Sequence, residues 1–154
     1  MKKANDEIRQ AELILKLYDL RREAVMREAR NYVGGEFQPK SAAEFVKIVS
    51  QGGKETGYVL QVYGYWDMVS AFVALGALTE RLVYDTCQEM YFQYAKIQGY
   101  LKEFRELMNL PEFLCSIEKV IESSAKGRKR VAAMRANMER IQQVREQKDS
   151  SRLS

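Results

Sequence analysis

The chain has 154 residues, 46% hydrophobic and 30% charged, with a formal net charge of +4 and no histidine. That length suits one domain with a single core that needs neither disulfides nor metal. Without imidazole the chain lacks the usual ligand for zinc, copper and haem and the usual general base near neutral pH, so histidine-dependent catalysis is excluded and only carboxylate, lysine or tyrosine chemistry is left.

The N-terminus, MKKANDEIRQ, starts basic and turns acidic where a signal peptide needs its apolar run. It predicts no export signal and a cytoplasmic location. Cys87 and Cys115 have no CxxC spacing and read as small apolar residues in a reducing compartment. Two prolines and nine glycines leave room for long helices. Asn5 is the expected N-cap of a first helix, with Asp6 and Glu7 in its first turn and Ile8, Ala11, Leu15 and Tyr18 on one face. A second apolar stripe, Val25, Met26, Ala29, Tyr32 and Val33, stops at Gly34-Gly35. Residues 6–33 are compatible with one helix or with two bent near Arg21.

EFQPK reads as a loop, and SAAE at 41–44 as a capping box that opens a short helix to about Ser50. After QGGKETG, a helix is predicted from Thr56 to Leu75, ending at Gly76. Its sequence is apolar enough to raise a membrane span, but Asp67 at the middle, Gln61, Ser70 and two glycines favour the central helix of a bundle. Tyr58, Val62, Tyr65, Trp66, Val69, Phe72 and Val73 form a broad apolar arc. Gly64, Asp67, Ala71 and Ala74 form a narrow line suited to close approach by another helix.

Thr79 is the expected N-cap of a long helix whose inner face reads Val83, Cys87, Met90, Tyr94, Ile97, Leu101 and Phe104. NLPEF at 109–113 ends it and starts another, with Pro111 in the first turn and Leu114, Ile117, Val120 and Ile121 buried. Residues 126–154 hold nine Lys and Arg against three Asp and Glu, so the net positive charge lies in this tail. Val131, Met134, Met138 and Ile141 recur there at spacings of three and four, a seam suited to a partner helix. The resulting expectation is an all-α, single-domain bundle of about five to seven helices over 1–125, a protruding basic amphipathic helix over 126–147, and a disordered tail over 148–154.

Each candidate site has a plain structural alternative. Asp67 is read as a buried carboxylate bonded to a tyrosine, an arginine or a helix N-terminus, as a solvated residue, or as a catalytic acid. Glu89 is placed at the edge of a polar face, in solvent; two carboxylates without histidine do not make a Glu-x-x-His di-iron site. Tyr65, Trp66 and Tyr91 are a candidate aromatic pocket. GGKET at 52–56 lacks the glycine and the Ser or Thr of a phosphate-binding loop, having Ile48 and Glu55 instead, and is discarded. Lys126, Arg128, Lys129 and Arg130 form a candidate basic patch for nucleic acid or an anionic membrane surface, without an aromatic stacking platform in the tail.

YWDMV followed by GAL, then YDTC and PEFL, resembles a family of small bacterial helical proteins known as a domain of unknown function. The matching positions are Tyr65, Trp66, Met68 and Val69, then Gly76, Ala77 and Leu78, then Tyr84, Asp85, Thr86 and Cys87, and finally Pro111, Glu112 and Phe113. The similarity spans about residues 10–121. It implies a bacterial origin and an all-helical fold, and supplies no activity, cofactor or catalytic residue. The functional expectation is a non-enzymatic, self-associating scaffold or protein-interaction module, a homo-oligomer with no cofactor and no membrane span. The alternative is a nucleic-acid-binding protein using the basic tail.

Overall fold

The structure, a computed structural model, describes residues 2–152. It contains α1 (Lys2–Arg22), α2 (Ala24–Gly35), α3 (Ala42–Ser50), α4 (Gly53–Ala74), α5 (Glu80–Thr86), α6 (Gln88–Ile97), α7 (Leu101–Met108), α8 (Cys115–Glu122) and α9 (Ala125–Arg152). The described residues thus form nine helices and no strand, more than the five to seven expected because the long helix predicted from Thr79 is divided into three. Residues 6–33 belong to two helices: Glu23, with extended backbone at φ −57° and ψ 145°, separates α1 from α2. The long helix predicted from Thr79 breaks at Cys87 (φ −115°, ψ 55°) and again near Tyr100 (φ −116°, ψ −11°). Its inner face nevertheless stays continuous, and every residue expected on it is buried.

Two helix starts, those of α3 and α5, are set by side-chain caps. Ser41 Oγ accepts the Glu44 N–H at 3.2 Å, as a capping box requires, but the Glu44 carboxylate accepts from the Lys40 N–H at 2.8 Å rather than from Ser41. Thr79 Oγ1 accepts the Leu82 N–H at 3.3 Å and caps α5. Asn5 is not a cap, because α1 already runs from Lys2. α4 begins at Gly53, three residues before Thr56, with its N-cap Gly52 at φ 73° and Gly53 itself at φ 86°. Pro111 precedes α8 in a turn bounded by left-handed Asn109 and Leu114, so α8 starts only at Cys115.

α4 is the central helix, packed against α2, α8 and α3, while α6 lies against α8 and α9, and α3 against α7. Trp66, Tyr63 and Val69 of α4 meet Ala29 and Val33 of α2 and Ile117 and Ile121 of α8 in one core. At one end Phe45 stacks on Phe104 with centroids 4.1 Å apart, and Phe37, Phe113 and Tyr63 pack around them. No helix among the described residues is long and apolar enough to cross a membrane.

α9 is longer than the 126–147 expected and is not uniform along its length. Val131 is buried, and Met134 and Met138 pack against the core. Residues 139–151 are all exposed, an arm of about 20 Å at 1.5 Å per residue. Of the segment expected to be disordered, 148–152 continue the helix, supported by a Gln142–Glu146 hydrogen bond at 3.0 Å one turn earlier; 153–154 lie outside the described residues.

Candidate functional site

Glu89 opens the first turn of α6, where a carboxylate suits the helix dipole. It is not solvated as expected. Arg21, at the end of α1, donates to its Oε2 at 2.6 Å, and Arg30 of α2 donates from Nε to both oxygens at 2.9 and 3.0 Å. The side chains of Arg21 and Glu89 are only 12% and 16% exposed. Burial pushes the Glu89 carboxyl up, but the hydrogen bonds and charges of Arg30 and Arg21 together outweigh it and hold the group below the usual carboxylate range. The Arg21 guanidinium also lies over the Trp66 ring, 5.0 Å from its centroid. One carboxylate thereby joins α1, α2 and α6, and the Arg21 guanidinium extends the joint to α4.

Asp67 has a different task. Its Oδ1 accepts the Ile117 N–H at 2.9 Å. α8 enters from left-handed Leu114, which offers no side-chain cap, so the carboxylate of α4 supplies the acceptor that the first turn of α8 lacks. Of the alternatives for Asp67, the bond to a helix N-terminus is the one formed. The small-residue line beside it does not receive a helix along its whole length, since a Cβ at Gly64 would meet nothing within 4 Å.

The proposed aromatic pocket is core. Trp66 and Tyr91 are each 1% exposed. Tyr65 packs edge-on against Trp66 at 4.8 Å, and its hydroxyl donates to the Leu17 carbonyl at 2.6 Å, while Tyr91 meets Tyr84 instead. The basic patch is likewise divided. Arg130 turns inward, its guanidinium 3.4 Å from the Tyr84 ring centroid and bonded to the Tyr84 carbonyl, and Arg128 bonds the Glu122 carbonyl. Lys126, 5.9 Å from the Tyr84 ring centroid, and Lys129 are the two of the four that are exposed and make no hydrogen bond among the described residues. The tail seam is also split: Val131, Met134 and Met138 serve the chain's own core, whereas Ile141 stays exposed.

Lys96 carries no local mark of its role in the sequence. Its Nζ donates to the carbonyls of Val33 and Phe37, the latter at 3.0 Å, and so closes the C-terminal end of α2. Burial beside Phe92 and Phe37 pushes its ammonium down to about 8. The signal available in the sequence was Gly34-Gly35, which ends α2 with free carbonyls but does not say which cation reaches them.

Two clefts flank Phe92. One of about 480 Å³ lies between α6, the 38–40 loop and the α9 arm, and includes Lys40, Tyr100, Arg135 and Arg145. The other, of about 390 Å³, lies beside the Glu89 cluster and includes Arg27 and Arg30. Neither contains a nucleophile paired with a base. The described residues contain no group of three or more His, Cys, Asp or Glu placed to hold a metal ion.

One apolar helix face is left uncovered. Ile8, Ala11, Leu15 and Tyr18, expected to share a face, do so, but α1 packs through Leu13, Ile14 and Leu17 instead. The first stripe is left in solvent, with Ile8 57%, Leu15 65% and Tyr18 53% exposed. Isolated exposed apolar residues are ordinary; four at spacings of three and four are the pattern of a helix-pairing face.

Residues 7–124 match the sequence model of a family described as "Domain of unknown function (DUF4760)". The match ends just before α9. No curated protein and no solved structure matches the chain.

Proposed function

We propose that this chain, which belongs to the DUF4760 family, is a non-enzymatic helical interaction module that associates with further copies of itself, in a bacterial cytoplasm. The observation that carries the reading is the uncovered face of α1, whose spacing is that of a coiled-coil seam and whose burial would remove three large side chains from water. The polar groups most suggestive of chemistry, Glu89, Asp67 and Lys96, are instead committed to joining helices. Light scattering of the full chain across the micromolar range tests this: a mass above that of the monomer, rising with concentration, is expected. A strict monomer at high micromolar concentration would refute it.

The nucleic-acid alternative draws support from the cations around the α9 cleft, Lys40, Arg135 and Arg145. It predicts DNA or RNA binding whose affinity falls steeply with salt and weakens in an Arg135→Ala/Arg145→Ala variant. Absence of binding at low salt would remove it.

A further inference from the structure

Among the described residues two surfaces have no apolar cover, and they are complementary. On α1 the apolar line Ile8, Ala11, Leu15 and Tyr18 is bordered by Glu7, Glu12 and Asp19, all exposed. No ion pair engages any of these three carboxylates among the described residues. On the α9 arm, Ile141 and Val144 are 52% and 46% exposed. They lie three residues apart, with Asn137 four before and Lys148 four after, so that the line again has spacings of three and four. Arg140 and Arg145 immediately border it, while Glu139, Glu146 and Asp149 fall on other faces of the helix. In two helices paired along such lines, the bordering positions face each other across the seam and set which partner is accepted. Acidic borders on α1 therefore match basic borders on the arm, and each surface is mismatched against itself.

Resting on the self-association proposed above, we infer that the α9 arm of each copy docks on the α1 face of a second copy, giving a reciprocal, two-fold dimer. The arm belongs to the same helix as the part of α9 that packs on its own bundle, so the partner's α1 would take up the apolar positions that follow where the chain's own core stops, beyond Met138. A reciprocal exchange uses both surfaces in both copies and closes on itself, leaving none for a growing filament.

The test uses charge reversal at exposed positions in the full chain. A Glu12→Arg/Asp19→Arg variant and an Arg140→Glu/Arg145→Glu variant each place like charges across both seams of their own dimer. Sedimentation velocity of each alone is expected to show dimer dissociation constants raised by about tenfold or more. An equimolar mixture of the two is expected to recover a dimer, because one seam is then native and the other is native with its charges exchanged. Recovery on mixing also shows that both variants are folded. A wild-type dimer that neither variant weakens, that only the α1 variant weakens, or that mixing fails to restore would overturn the arm exchange while leaving self-association standing. A wild-type monomer would end both.

Discussion

Glu89→Ala removes the acceptor shared by Arg21 and Arg30 and leaves the two guanidiniums facing each other. Arg30 also donates to the Arg21 carbonyl at 3.5 Å, but no other carboxylate pairs with either arginine among the described residues. Breaking a fully buried ion pair costs about 3–5 kcal/mol, and an exposed one about 0–1 kcal/mol. With side-chain exposures of 12%, 16% and 30% for Arg21, Glu89 and Arg30, the cluster lies between these limits but nearer the buried one. A loss of about 2–3 kcal/mol is expected for Glu89→Ala. For a chain of this size each kcal/mol moves the melting temperature by about 2–4 °C, so the midpoint should fall by roughly 4–12 °C. Urea denaturation followed by circular dichroism reads the free energy directly. The pH dependence carries a definite sign. The folded-state carboxyl titrates below its unfolded value, so its contribution is present above the unfolded pKa and is lost as the pH falls through the folded one. The difference between wild type and Glu89→Gln should therefore be largest at neutral pH and shrink in acid. A Glu89→Ala variant within about 0.5 kcal/mol of wild type at pH 7 would refute the cluster as a structural joint.

Asp67→Ala should cost about 1 kcal/mol through the lost cap on α8, and Asp67→Asn, which keeps an acceptor oxygen, less; urea midpoints of the two give the comparison. A Cβ at Gly127 would lie 2.6 Å from the Ile121 carbonyl oxygen. Gly127→Ala is therefore expected to destabilise by about 1–3 kcal/mol despite the better helix propensity of alanine. At open Gly64 the same substitution should stabilise by up to about 1 kcal/mol, and thermal melts with opposite shifts would establish the contrast. Lys96 should titrate near pH 8, well below exposed lysines, in a carbon-detected NMR titration of the side-chain amines; a midpoint near 10 would contradict its burial.

Local signals in the sequence led to correct local structure. Ser41 and Thr79 are both N-caps, the Gly34-Gly35 stop ends α2 at Gly35, and Leu114, Ile117, Val120 and Ile121 are buried as their spacing implies. The division at Cys87 was hidden because the apolar stripe passes through it without a change of phase, and periodicity records the face of a helix rather than its continuity. The Glu89 cluster was hidden for another reason. Its arginines lie 59 and 68 residues away, and spacing along its own helix puts the glutamate at the edge of a polar face. Only the docking of α1 and α2 turns that edge inward. Asp67 was intermediate: its position limited the possible partners, and the choice among them depended on where α8 begins. In α1, the stripe Ile8, Ala11, Leu15 and Tyr18 lies on one face as its spacing implies, yet a second apolar set, Leu13, Ile14 and Leu17, packs against the domain. A helix with two apolar faces gives no local indication of which one its own fold will use.

The chain has a single tryptophan, and that residue is buried directly beneath the Arg21 guanidinium. Native emission is therefore a one-site optical signal located at the junction of four helices. Wild-type protein should emit toward the blue, as a ring screened from water does, and a shift to the red would mark separation of α1 from α4 before the helices themselves unwind. Comparing that shift with the loss of helical dichroism during a melt would distinguish a cooperative collapse of the whole bundle from an early release of its first helix.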